Sequence, residues 1–71
     1  MKFHYYPETD SLYIELSEKP GVDAREVAPG VVLDFDDEGH PVGIDLDQAS
    51  QFVNLSRLEA SSLPLQVFAL E

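Results

Sequence analysis

Between Val31 and Asp47 the chain reads VVLDFDDEGHPVGIDLD, two runs in which apolar residues alternate with acidic or small ones around a central Asp-Glu-Gly-His. Period-two alternation sends successive side chains to opposite faces of a strand, so the stretch argues against an amphipathic helix and for a β-hairpin with one apolar and one acidic face. With Asp37-Glu38-Gly39-His40 as the loop, Phe35 is set against Val42, Leu33 against Ile44 and Val31 against Leu46. Asp34, Asp36, Asp45 and Asp47 then point the other way by alternation alone. In this register Asp34 lies opposite Gly43 and Asp45 opposite Val32, which keeps like charges from facing each other directly.

The first sixteen residues repeat the logic. Phe3 and Tyr5 alternate before Pro7-Glu8-Thr9-Asp10, and Leu12, Ile14 and Leu16 alternate after it. A four-residue loop there pairs Tyr5 with Leu12 and Phe3 with Ile14, leaving His4, Tyr6, Tyr13 and Glu15 on the opposite face and Lys2 across from Glu15. Ser17 to Asp23 carries Pro20-Gly21 and reads as a loop. Arg25 to Phe35 reads as one long strand with a bulge or bend at Pro29-Gly30, keeping Val27, Val31, Leu33 and Phe35 on one face.

Past Asp47 the period changes. Ala49, Phe52, Val53 and Leu55 fit one side of a short helix with Asp47 as its N-cap, and Ser56-Arg57-Leu58-Glu59 matches a capping box for a further turn ending before Pro64. The apolar tail Leu65 to Leu70 requires burial, as a fifth strand or as a helix against the sheet. The expected fold is therefore α+β: an antiparallel β-meander of four strands in two hairpins, five if the tail adds one, covered by a short C-terminal helix. One domain spans 1–71, with the meander in 1–47 and the helix and tail in 48–71.

A chain of 71 residues leaves no room for a separate catalytic domain, and without cysteine it has neither a disulfide framework nor a thiolate zinc site to stabilise a small core. Its 44% apolar content supports a folded module, and a homodimer is expected to supply the missing burial. MKFHYYPETD lacks the apolar stretch of a signal peptide, and no run approaches the roughly 20 residues that span a bilayer, so a cytoplasmic protein without membrane contact is expected. Lys2, Lys19, Arg25 and Arg57 stand against fourteen acidic residues, for a formal charge of −10. That balance argues against direct nucleic-acid binding and favours a basic protein partner or a divalent cation.

Cation chemistry has one candidate set. Counting from Asp34, carboxylates occupy the first, third and fifth positions (Asp34, Asp36, Glu38), Gly39 the sixth and Asp45 the twelfth, as in an EF-hand loop. The pattern departs from that loop at Glu38, at Pro41 and at the short Asp45, and its flanks read as strands rather than helices. Alternation on a solvated face explains the same acids with no metal. His4 and His40 have no nucleophile fixed beside them, so no catalytic residue and no cofactor is expected. Tyr5, Tyr6 and Tyr13 suit cross-strand packing better than a binding patch.

Tyr6-Pro7-Glu8-Thr9-Asp10-Ser11-Leu12-Tyr13-Ile14-Glu15-Leu16-Ser17, then Glu26 through Asp36 with its Pro29-Gly30-Val31, then Gly39, Val42-Gly43-Ile44-Asp45 and Ala49-Ser50, resemble a small, widespread bacterial family classed as a domain of unknown function. The resemblance covers about Lys2 to Ser50, with Gln48 standing where that family often has an Asp. It implies no activity, cofactor or catalytic residues. Some similar proteins look like partners of small basic toxin-like proteins, which implies an acidic, antitoxin-like interaction module rather than an enzyme. The sequence expectation is thus an interaction module meeting a basic partner. The rivals are a cation-dependent binding or hydrolytic protein using Asp34, Asp36 and Asp45, and a purely structural homodimeric domain.

Overall fold

The computed structural model of the chain describes residues 1–57, 59 and 61. Five strands form in the order the alternation requires: β1 (Lys2–Tyr6), β2 (Ser11–Glu15), β3 (Asp23–Ala28), β4 (Val31–Phe35) and β5 (Pro41–Leu46). They make one antiparallel sheet in the spatial order β1-β2-β5-β4-β3.

The β1–β2 hairpin has the expected register, with Phe3 opposite Ile14, Tyr5 opposite Leu12 and Lys2 opposite Glu15. In the β4–β5 hairpin the pairs Leu33–Ile44, Val31–Leu46, Asp34–Gly43 and Val32–Asp45 also form as expected. Phe35 pairs with Pro41 instead of Val42, because the register shifts between Asp34 and Phe35 and leaves Val42 as the extra residue of a bulge. Val42 is buried all the same. The β2–β3 loop crosses this end of the sheet, with Leu16 and Ser17 donating to the Val42 carbonyl and Val22 donating to that of Phe35.

Three expectations are corrected. The segment from Arg25 to Phe35 is two strands, not one long strand, because Pro29-Gly30 is a two-residue hairpin turn rather than a bend. Pro presets the first corner and Gly30, at φ 78°, takes the left-handed second corner of a type II turn. Such a turn splays right-twisted strands, and the register slip between Glu26 and Ala28 absorbs the mismatch and leaves Val27 exposed. Second, the sheet is not a simple meander: β2 and β3 are not neighbours, and β5 returns to pair with β2, setting Leu12 opposite Leu46 and Ile14 opposite Ile44. Third, no C-terminal helix covers the sheet among the described residues. Only a 3₁₀ turn, Ala49–Gln51, follows β5; Gln48 precedes it in the left-handed region, and no side chain caps it. The described fold is mostly β. The expected strand or helix over Leu65–Leu70 lies outside the described residues, and so does most of the further turn expected before Pro64.

One face of the sheet carries Phe3, Ile14, Ile44, Leu46, Val31, Leu33 and Phe35, all only half-buried, with Tyr5 exposed at its edge. Among the described residues the buried apolar side chains are Leu12, Val42 and Ala49. The chain from Val53 to Arg57, with Glu59, lies along the β1–β2–β5 half of this face and forms a groove with Phe3, Leu12, Ile14 and Leu46. No helix among the described residues is long and apolar enough to cross a membrane.

Candidate protein-interaction surface

The other face is built by the residues between the apolar ones. The pairings Tyr13–Asp45, Glu15–Gly43, Asp45–Val32, Gly43–Asp34 and Val32–Glu26 put Glu15, Glu26, Asp34 and Asp45 together on it, with Tyr13 among them. Gly43 is buried because the Tyr13 ring lies across it: a Cβ there would fall 2.6 Å from Tyr13 Cζ and closer still to the hydroxyl. A glycine on one strand covered by an aromatic ring from its neighbour is a recognised way to pin a register. Burial, and then the Asp34 carboxylate, raise the Tyr13 pKa above that of an ordinary tyrosine. His4 extends the aromatic surface, its ring centroid 6.4 Å from that of Tyr13.

Burial and like charge meet at Asp45. Burial is the larger cause, and Asp47 and Asp34 add to it, so the Asp45 carboxyl sits above the usual carboxylate range.

Asp36 and Glu38, grouped with Asp34 and Asp45 by spacing, are elsewhere. The Asp36 side chain, 3% exposed, turns back into the loop and accepts the backbone N–H groups of Glu38 at 2.9 Å and His40 at 2.8 Å. The His40 N–H chiefly holds its pKa below the ordinary value, with His40 and Lys19 adding positive charge nearby. Glu38 stands at the exposed tip, 3.7 Å from Lys19 Nζ. Asp36 is therefore a turn-forming acceptor. Among the described residues no group of three or more His, Cys, Asp or Glu is placed to hold a metal ion.

A second junction had no sequence signal strong enough to single it out. Asp10, non-glycine yet at φ 52°, accepts the Tyr5 hydroxyl at 2.7 Å and the Ser50 hydroxyl at 2.6 Å, while its own carbonyl takes the Ala49 N–H at 2.8 Å. The Ser50 hydroxyl, and then Tyr5, depress its pKa. Ala49, fully buried, is thereby tied to the far side of the first hairpin. Detecting this clasp requires the β2–β5 pairing, which nothing local encodes.

Residues 2–50 match the family described as "Protein of unknown function (DUF2283)". The chain belongs to the DUF2283 family. The matched span holds all five strands, the Tyr13–Gly43 contact and most of the Ala49–Gln51 turn, and stops before Val53–Arg57 and Glu59, which form one side of the groove. No curated protein and no solved structure matches the chain.

Proposed function

We propose that this DUF2283 domain is a protein-interaction module whose acidic outer face receives a basic partner. The observation that carries the reading is the Tyr13 platform with Asp34 and Asp45 beside it. A guanidinium laid on that ring meets carboxylates at its edge, and Arg is the side chain best suited to stack and pair at once. Burial chiefly raises the Asp45 pKa, and bringing a cation there would offset the repulsion from Asp47 and Asp34 that adds to it. The antitoxin-like role implied by the family resemblance is one instance of such a module.

The test is titration with an arginine-rich peptide, followed by calorimetry at low and high salt. Binding is expected at about 50 mM salt and to weaken steeply by 0.5 M, since exposed charges are screened beyond about a Debye length. Asp34→Asn with Asp45→Asn should weaken it by on the order of tenfold or more. Asp37→Asn with Glu8→Gln removes the same charge from exposed loops and should leave it within about twofold. Equal losses in the two double variants would reduce the effect to net charge and sink the platform; no binding at low salt would sink the module reading itself.

A further inference from the structure

The opposite face poses a separate problem. Strands need a second layer over their apolar side, and here Val31, Leu33, Phe35 and Ile44 are left half-exposed at the β5–β4–β3 half of the sheet. The three strands of that half, about 4.8 Å apart and about five residues long, present roughly 240 Å² in projection, a surface that calls for a second layer.

We propose that this face is closed by the same face of a second copy, giving a two-layer β-sandwich with both acidic faces outward. Charge is the first argument. In a chain of net charge −10, the strand residues on the apolar face include only two charged ones, Asp23 and Arg25, and they cancel. Their side chains lie 3.7 Å apart, and the Arg25 guanidinium stacks 4.7 Å above the Phe35 ring. Two copies joined here bring no uncompensated charge together, whereas joining through the outer faces opposes eight carboxylates. In an isologous pair the patch meets its own copy, and Asp23 with Arg25 gives that patch both signs, so it is self-complementary in charge.

The family span is the second argument. The match ends at residue 50, ahead of Val53, Leu55 and the rest of the groove-lining segment. In this chain the matched unit is thus a one-layer sheet whose apolar face must be covered from outside that span. A second copy is an occupant that the matched span supplies by itself.

The absence of cysteine makes the test direct. Full-length Leu33→Cys places a thiol on the apolar face, and Val32→Cys, one residue away, places one on the acidic face. Sedimentation of the wild-type chain between about 1 and 200 μM should show a monomer–dimer equilibrium that shifts toward dimer at 0.5 M NaCl, because each copy carries the same net charge. Leu33→Cys should react with a maleimide at least tenfold more slowly at the top of that range than at the bottom. Val32→Cys should react at one rate throughout. Val31→Cys repeats the measurement on the same face if Leu33→Cys does not fold.

A monomer at every concentration overturns the proposal. Protection of Leu33→Cys that does not vary with concentration assigns the face to the chain's own residues beyond 57, and rapid reaction throughout assigns it to no copy of this chain. A dimer that protects Val32→Cys instead overturns it too. The peptide titration reads the other face, so either reading fails without the other.

Discussion

Gly39 and Gly43 are four residues apart on the β4–β5 hairpin, and the chain needs glycine at each for a different reason. Gly39 holds φ 82° with open space around the position of a Cβ, so its constraint is backbone alone. Gly39→Ala should cost about 1–2 kcal/mol, the usual penalty for a side chain in the left-handed region, and Gly39→Asn distinctly less. At Gly43 the constraint is the Tyr13 ring. Gly43→Ala should cost about 1–3 kcal/mol as an overpacked contact, and that cost should shrink in a Tyr13→Ala background where the ring is gone. Urea unfolding of the four chains of that cycle measures the coupling. The Gly39→Ala cost, having no such partner, should be the same in both backgrounds; a Gly43→Ala cost unchanged by Tyr13→Ala would refute the platform.

Two carboxylates tie the elements, one within its own loop and one across the sheet. Asp36 ties the tip of the β4–β5 hairpin through the Glu38 and His40 N–H groups, and Asp10 ties the β1–β2 loop to the 3₁₀ turn through Ser50. Amide exchange should separate them: Asp36→Ala should speed exchange at His40 by on the order of tenfold and spare Ala49, and Asp10→Ala should do the reverse. Equal acceleration at both amides would mean that each variant merely lowers global stability. The same elements explain what was legible in the sequence. Alternation and loop length were enough to pair Leu33 with Ile44 and Phe3 with Ile14, because a one-residue slip turns a whole strand inside out. They were not enough at Pro29-Gly30, where a bend and a tight turn draw on the same two residues. The β2–β5 pairing joins residues about thirty apart and leaves no local mark, so the strand order could not be read. Ala49, Phe52 and Val53 fit a helical period, yet Gln48 in the left-handed region ends the run before a helix starts. The acids were correctly sent outward at Asp34 and Asp45; Asp36 was not, because a turn acceptor and a face residue look alike until the loop geometry is known.

For the whole molecule, these carboxylates pull stability in opposite directions with pH. Asp45 is raised in the folded state, so its contribution is unfavourable at neutral pH and improves as pH falls through that raised value, where the folded chain takes up the proton first. Asp10 and Asp36 are depressed, so their contribution is full above the unfolded carboxylate value of about 3.9 and is lost as pH falls through their lower folded values. General repulsion in a chain of net charge −10 adds to the first trend. Stability at fixed protein concentration should therefore rise from pH 7 to a maximum in the mildly acidic range, about pH 5, and fall below about pH 4. Asp45→Asn should flatten the rise and leave the acid limb, whereas Asp10→Asn with Asp36→Asn should lower stability at neutral pH and flatten the acid limb. Urea midpoints across pH 3 to 8 would check both. A maximum at neutral pH, or an Asp45→Asn chain with an unchanged rise, would show that Asp45 is not a source of strain on the acidic face, and with it would go one physical reason for a basic partner to settle there.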